Sequence, residues 1–600
     1  MLRIVALAKQ IPEFETMALG PDGRLTRAGL PLEMSAYDRR AVAQGVALAR
    51  ATGGTCTVVT LGPPSAEDIL LESLTFGADA GVLITDPAFA GSDTLATARA
   101  LAAALDRLGP FDLVLAGRNS VDAETGQVGP QVAELLDLPF ATGVRELDLT
   151  PDEQSVLVGC ELDDEWTELT IGLPAVLSVA ERLIDPAKIK DPAAWVDVDR
   201  SRVSRLTAAD LGPGPWGDAG SPTSVGEVRD EVTNRRAEIL DGDLDDQVAR
   251  LAELIRPVLA NGSTPRPQGD VVPTAAGSGG PIVGVMVEPG RQRELRELLG
   301  AAAQLASTLG GRVVAIGPWL LAPARVTTEA AAVLGTWGAD ELVVLEPGLG
   351  ALVEEDVAVA LAAWITEVEP AVMLGPGTAF GREVAGRVAA RLGLGLTGDA
   401  IGLDLDGPTL TAWKPAFGGA LVAAVRSRST PQMATIRPGV LTPPAPRKTA
   451  ATPVPVERVE VGPRGRVVLR ARRRDDDLEV LATATRVVSV GRGVAPDRYP
   501  ELDELLAVLG AELAATRKVT DEGWLPHARQ VGITGLSLAP DLAVVIGTRG
   551  SFNHMVGFRR AGLVVAINPD ASAPVFAAAD YGLVASWQDV LPGLVDALST

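Results

Sequence analysis

Residues 530–554 read QVGITGLSLAPDLAVVIGTRGSFNH. Gly532 and Gly535 free the backbone around Thr534, and an apolar strand follows. Gly547 and Gly550 then frame a second loop that leads into a helix starting near Ser551. His554, one of two histidines in 600 residues, closes the stretch. Glycine loops at strand ends let backbone N–H groups turn toward an anion, and a helix N-terminus adds its partial positive charge. The chemistry is phosphate binding. Three arginines hold comparable loop positions: Arg492 past the strand RVVSV, Arg517 ahead of a tight turn, and Arg549 between Gly547 and Gly550. A guanidinium grips phosphate through paired N–H donors. Asn568 and Asp580, beyond the strand LVVAI, offer polar contacts to a sugar or base.

A second constellation lies far upstream. LVLAG reads as a buried strand, RNSVDAETGQVG as the loop beyond it and PQVAELLDL as a helix, with Pro130 suited to its first position. Gly126 and Gly129 allow N–H groups to face a phosphate, and Asp122 can cap the helix or take a ribose hydroxyl. An ordinary turn explains the same glycines. The loop GPGTAFGREVAG in the second half keeps the glycines without the acidic pair.

Loops of this kind need strands to carry them. Short runs such as CTVVTLG, FDLVLAG, GRVVAIG, ELVVLE, AVMLG, RVVSVG, LAVVIG and LVVAIN alternate with Ala/Leu-rich amphipathic stretches. Strands apolar on both faces, joined by crossover helices, predict parallel sheets with ligands at the strands' carboxyl ends. ESLTFGADAGVLITD (72–86) resembles AAVLGTWGADELVVLE (331–346), and 111–139 parallels 370–395, each offset by about 260 residues. The fold class expected is α/β: two related base domains with parallel, Rossmann-like sheets, plus a C-terminal doubly wound domain. Pro/Gly/Ser/Thr-rich stretches mark linkers at 261–280 and 441–460, so the domains fall at 1–260, 281–440 and 461–600. Residues 210–224 read as a loop inside the first half.

Composition narrows the partners. The chain has 53 Lys and Arg against 77 Asp and Glu, a net charge of −24. Nucleic-acid binders need a basic footprint, so that class is excluded, and anionic membrane surfaces are disfavoured. No run approaches the ~18 apolar residues of a membrane span, so no stable membrane insertion is expected. Cys56 and Cys160 are too few for an iron–sulfur cluster or a thiolate zinc site, and no metal is expected. With packing cysteines and a start, MLRIVALAKQIPE, without a secretory pattern, a cytoplasmic location is expected.

At these residues the chain resembles an electron transfer flavoprotein. GRG (491–493), TR (516–517), DEGWLP (521–526), QVGITG (530–535), GTRGSFNH (547–554) and AINPDASAPVFAAADYG (566–582) follow the family's flavin-domain signature. GTAFGREVAGRVA (377–389) resembles the first domain of the alpha subunit. GSDTLATA (91–98), GRNSVDAETGQVGP (117–130), LPAVLSVAERL (173–183) and GSPTSV (220–225) resemble the beta subunit. The pattern is that of beta and alpha subunits fused in one chain, beta first. The sequence departs from the family at Arg549, where a serine is usual, at Ile533 and at Thr516. The usual partner-recognition segment is replaced by DPAKIKDPAAW (185–195).

The resemblance implies FAD in the domain at 461–600. Thr534 would donate to the flavin N5, His554 would face the pyrimidine carbonyl and Arg517 the ring edge. Arg492, Gly493 and the 547–553 loop, with Gly547, Arg549, Gly550, Ser551 and Asn553, would face the pyrophosphate. Asn568 and Asp580 would lie at the adenosine end, and Asp570, Tyr581, Thr516, Gln530, Val531, Gly532 and Gly535 complete the set. The beta half would hold AMP, or a second FAD, on Ala8, Ser35, Tyr37, Asp93, Gly117, Asp122, Thr125, Gly126, Gln127, Val128 and Gly129. The implied role is an electron carrier rather than a substrate-converting enzyme. Electrons would come from a flavoprotein dehydrogenase and go to a membrane quinone oxidoreductase or other acceptor. An electron-bifurcating, NADH-oxidising flavoprotein and a non-redox adenine-nucleotide-binding protein are the alternatives.

Overall fold

The computed structural model describes residues 1–12, 30–120, 122–163, 165–189, 191–230, 235–260, 269–274, 279–318, 327–348, 351–416, 421–447, 453–474, 477–532 and 535–599. Three largely parallel sheets organise them. The first has ten strands: Val203–Leu206, Ala80–Ile84, Thr55–Leu61, Arg3–Leu7, Leu113–Gly117, Ala175–Val179, Phe140–Leu149, then antiparallel Ser155–Glu161, Glu165–Gly172 and Val467–Arg474. The second runs Leu396–Ala400, Gln432–Ile436, Val372–Pro376, Ile282–Met286, Arg312–Pro318, Glu341–Pro347, Val456–Val461. The third runs Glu238–Ile239, Tyr581–Leu583, Leu563–Ile567, Leu542–Ile546, Arg486–Val490, Glu512–Ala515. Central strands such as Ile282–Met286, Ala175–Val179 and Leu542–Ile546 are buried at every position, as strands covered by helices on both faces must be.

The first two sheets repeat one another. Outward from Arg3–Leu7 and from Ile282–Met286, the neighbours follow the same order on both sides. The internal sequence repeat maps onto matching units: helix Glu67–Phe76 into strand Ala80–Ile84, and helix Thr328–Trp337 into strand Glu341–Pro347. The glycines that end the two helices share a left-handed backbone, Gly77 at φ 124° and Gly338 at φ 129°, where a side chain would be strained.

The chain crosses repeatedly between these bodies. Thr223–Asp230 adds to an antiparallel sheet with Leu421–Ser427, Thr409–Ala416 and Gly402–Asp406. Glu238–Ile239 extends the third sheet, and Leu244–Ala260 packs on the C-terminal helix Trp587–Ser599 through a shared core that includes Leu251, Ile255, Leu591 and Leu594. Val456–Val461 closes the second sheet and Val467–Arg474 the first, so the third sheet's own strands begin at Arg486 within the 461–600 stretch. Each of the added strands pairs an edge that would otherwise present unsatisfied N–H and C=O groups. Within the stretches read as linkers, Gly269–Val271 pairs with Pro444–Ala445, and Arg447 donates from Nε to the Pro273 carbonyl at 2.9 Å. Between 210 and 224 lies the short helix Gly217–Gly220. Cys56 and Cys160 are buried, and burial pushes the Cys56 thiol up to about 12.

Candidate functional site

In the third sheet, Arg486–Val490 has Glu512–Ala515 on one side and Leu542–Ile546 on the other. The strand order reverses there, and a crevice opens beyond the carboxyl ends. The loops after Val490 and Ile546 touch: Gly493 N donates to the Gly547 carbonyl at 2.9 Å, and a Cβ on Gly493 would stand 2.7 Å from that oxygen. Arg492, Arg549 and Ser551 are exposed at the lip, with Arg492 3.4 Å from Glu522. Asn553, in the helix Phe552–Met555, carries an Oδ1 that is buried without a hydrogen-bond partner among the described residues. That acceptor and the exposed guanidinium groups fit a phosphorylated, hydrogen-bonding ligand such as FAD.

The other expected residues of this domain are more tied to protein. Asn568 donates to the Thr548 carbonyl at 2.7 Å and accepts from Asp570 N at 2.8 Å, while Asp570 accepts from Ser572. Asp580 accepts from Arg235 Nη1 at 2.8 Å and from Val564 N at 2.9 Å. The Tyr581 hydroxyl takes Arg236. His554 is 3% exposed; its Nδ1 lies 2.9 Å from the Val531 carbonyl and its Nε2 3.1 Å from Ser489 Oγ. A carbonyl only accepts, so Nδ1 carries the proton and Nε2 accepts from the serine. Burial lowers the His554 pKa to about 4, so the ring is a neutral imidazole. Gly532, at φ 133°, backs onto the Asn553 carbonyl, where a Cβ would come within 2.2 Å. Thr534 and Ile533 lie outside the described residues.

A cleft open to solvent forms where the three sheets' bodies meet. Tyr37, Arg118 and Glu181 come from the first, Arg437 from the second, and Gln530 and Gly535 from the third. Gln530 is buried and accepts from Thr520 Oγ1 at 2.6 Å. Thr516 is the N-cap of Arg517–Asp521, and Arg517 leans from that helix toward the first domain. Its Nη1 donates to the Tyr37 hydroxyl at 3.2 Å, its guanidinium carbon is 5.3 Å from the Tyr37 ring centre, and its Nη2 is 3.5 Å from Glu181. Burial opposes the Glu181 charge, but Arg118 and Arg517 outweigh it and hold the carboxyl down at about 2. Burial pushes the Tyr37 hydroxyl up. Arg118, Glu181 and Arg437 were not singled out from sequence. The first two sit inside the quoted motifs at 117–130 and 173–183, which was the available signal.

The first domain's loop is built as a strand-to-helix turn. Its helix is Val128–Leu135, so Pro130 stands third rather than first. Proline is tolerated there because N–H groups of the first turn have no intrahelical partner. Gly117 N and Lys9 N both donate to the buried Asp38, at 3.1 and 2.9 Å, and burial pushes that carboxyl up to about 7. Ala8 N donates to the Val59 carbonyl. Asp122 pairs with Lys9 Nζ at 2.7 Å. Asp93 caps the helix Thr94–Leu108 through Ala96 N and holds Thr223 with its other oxygen at 2.7 Å. Gly126 is left-handed at φ 62°, Gly129 packs on the Phe140 ring, and Thr125 is half-buried. Ser35 Oγ and Gln127 Nε2 are buried without partners among the described residues, so polar capacity remains beside this loop.

A switch-point crevice with touching glycine loops, set against two repeated α/β bodies, defines a nucleotide-binding α/β protein. The chain belongs to the electron transfer flavoprotein family. Residues 22–206 and 284–463 match the electron transfer flavoprotein domain, and 480–559 match the electron transfer flavoprotein FAD-binding domain. The chain is 34% identical over 255 residues to the electron transfer flavoprotein subunit beta of Thermoanaerobacterium thermosaccharolyticum, covering 42% of this chain and 97% of that subunit. It is 34% identical over 306 residues to the alpha subunit of the same organism, covering 50% of this chain and 91% of that subunit. Protein FixB of Azorhizobium caulinodans is 35% identical over 314 residues, 50% of this chain and 83% of that protein. Both subunit types are thus present in one chain, with an electron-transfer role and a capacity for FAD. Among the described residues no helix is long and apolar enough to cross a membrane.

Proposed function

We propose that this chain is a fused electron carrier that takes electrons from a flavoprotein dehydrogenase and passes them to a quinone oxidoreductase or similar acceptor, in the cytoplasm. The observation that carries it is the Arg517–Tyr37–Glu181 contact at a cleft fed by all three bodies, next to the glycine loops of the FAD-binding domain. Bound FAD supplies the one- and two-electron chemistry. Arg492 and Arg549 would hold its phosphates, and the Asn553 Oδ1 would accept from a donor group of the cofactor. Arg517 would hold positive charge at the ring, as a fixed cation stabilises developing negative charge. Thr534 would donate to the flavin N5, and His554, its ring nitrogens engaged by Val531 and Ser489, would lie beside the ring as a neutral group.

The 117–129 loop would hold AMP, with Ser35 and Gln127 supplying unmatched polar atoms. A second FAD there, with NADH oxidation, is the other reading. Denaturing the protein and quantifying released nucleotides separates them. One FAD and one AMP supports the carrier, two FADs with NADH-driven reduction supports bifurcation, and no flavin overturns both.

Polar contacts tie the FAD-binding body to the base. Arg293 donates to the Ala482 carbonyl at 2.7 Å, Arg182 to the Thr520 carbonyl at 3.4 Å, and Arg560 to the Gly439 carbonyl. Together with the Arg517 contacts to Tyr37 and Glu181 these are polar rather than a continuous apolar seam, which favours rigid-body rotation of this body to meet redox partners. The partner would dock near 185–195, where Trp195 and Ile189 are half-buried and Trp195 Nε1 donates to the Ile189 carbonyl, leaving Val196 75% exposed. Transfer rates from the donor should fall in Trp195→Ala with FAD content intact, and fall again when a cross-link fixes the FAD-binding body.

A further inference from the structure

Glu124 and Asp399 come from the first and second bodies and converge on one guanidinium. Arg437 donates from Nε to Asp399 Oδ1 at 3.0 Å, its Nη2 also pairs with Asp399, and the same Nη2 is 3.9 Å from Glu124 Oε2. Both acids have left-handed backbones, Glu124 at φ 48° and Asp399 at φ 59°. Such conformations are strained for non-glycine residues and concentrate at functional sites. Asp399 and Arg437 line the cleft that Tyr37 and Gln530 also line. Glu124 lies on the 117–129 loop, so it joins the loop to the cleft wall.

The charges around Glu124 leave it the weakest-held acid of the group. Asp399 takes Arg437 through two hydrogen bonds, and Glu124 has only the longer approach. Lys414 from the strand Thr409–Ala416 and Arg382 from the helix Ala379–Leu392 also face it, and Glu124 in turn acts on Tyr37. On its own loop, Asp122 is neutralised by Lys9.

We propose that Glu124 is the charge-compensating group of the redox site, taking up a proton when an electron arrives in the cleft and releasing it when the electron leaves. The inference rests on the placement of the flavin ring against the Tyr37–Arg517 wall. The step balances. The donor dehydrogenase is oxidised by one electron, the bound cofactor is reduced by one, and one proton from solvent forms an O–H bond on the Glu124 carboxylate. Added negative charge in the cleft raises the proton affinity of a nearby carboxyl, because the ionised acid is repelled and the neutral acid is not. Burial has already pushed Glu124 up to about 7 against the pull of Arg437, so a modest rise changes its charge near neutrality. Asp399, held down despite burial by Arg437, stays ionised in both states.

The test uses the FAD-loaded full chain. Protons taken up on reduction are measured with an indicator dye across the neutral range, beside the pH dependence of the first reduction potential. Wild type should take up close to one proton more per FAD than Glu124→Gln where Glu124 is ionised before reduction, and Glu124→Gln should lose the corresponding slope of potential against pH. Lys414→Gln, which alters a neighbouring charge, should shift the wild-type profile without abolishing the uptake. Equal proton uptake and parallel profiles in Glu124→Gln with full FAD content overturn the inference and leave the electron-carrier reading standing. Absence of FAD from wild type overturns both. Should Glu124→Gln fail to fold, the reduction-induced infrared difference spectrum of wild type decides. A new protonated-carboxyl stretch supports the inference, and its absence overturns it.

Discussion

Arg517 and Tyr37 stand 480 positions apart in the chain, and the Arg517 guanidinium donates to the Tyr37 hydroxyl at 3.2 Å across the boundary between the FAD-binding body and the first base domain. Glu181 lies 3.5 Å from the same guanidinium and fixes its orientation. If this cation contributes ~1–2 kcal/mol to holding negative charge at the ring, Arg517→Ala lowers the first reduction potential by roughly 40–90 mV. Tyr37→Phe keeps the ring and shifts the potential less. A redox titration that finds Arg517→Ala unchanged removes Arg517 from the ring.

His554 acts on stability through pH. Its folded-state pKa is depressed to about 4 from 6.5, by burial. Between those values the unfolded chain binds more protons, so this contribution is complete above about 6.5 and drains away as pH falls toward 4. Burial lowers His527 as well, in the same direction. Denaturant titrations should show stability falling on acidification through this window. In His554→Gln the fall should be smaller by on the order of 2–3 kcal/mol. An identical pH profile in the variant places His554 outside this linkage.

Arg235 ties the first half's terminal arm to the FAD-binding body. It donates to Asp580 and to the carbonyls of Phe558, Arg559 and Ala561. Arg235→Ala leaves a nearly buried carboxylate and three carbonyls without this partner, a loss of about 3 kcal/mol or more. Hydrogen exchange should rise in Leu563–Ile567 and Tyr581–Leu583 before it rises in the base sheets. Uniform protection in the variant would contradict this anchoring role.

Arg387 joins the two base domains. It is 0% exposed and pairs with Glu134 at 3.0 Å and Glu383 at 3.3 Å. Burial pushes Glu383 up to about 8 despite that cation. A raised carboxyl contributes stability that is full below its unfolded value of about 4.5 and lost as pH rises through about 8. Arg387→Met removes the compensating charge, so the variant should lose about 3–5 kcal/mol and lose more in alkaline than in acidic buffer. Melting curves at several pH values measure this. An alkaline loss no larger than the acidic one would falsify the interpretation.

Much of the candidate site's loop framework was legible because parallel sheets put loops that can carry ligands at one end of every strand. The loops at 491–493 and 547–551 follow apolar runs that could only be buried strands, and their glycines mark where two backbones touch. The repeat at 72–86 and 331–346 was legible because the same helix, glycine and strand recur in order. Asp93 and Asp580 read equally well as ligand groups, yet one holds Thr223 and the other Arg235. Nothing local to either aspartate identifies a partner more than a hundred residues away.

The sequence by itself determined the α/β class, the paired base domains and the glycine loops, since each is written in neighbouring residues through backbone periodicity and turn chemistry, and its motifs carried the resemblance to the family. Only the tertiary structure decided how the segments are shared. Val467–Arg474 joins the first sheet, Glu238–Ile239 the third, and Glu124, Asp399 and Arg437 form one cluster from two bodies. A strand edge accepts any segment of suitable pattern, and a buried charge is satisfied by whichever opposite charge packing brings within reach. Those choices depend on distances in the folded chain, which residue order alone does not encode.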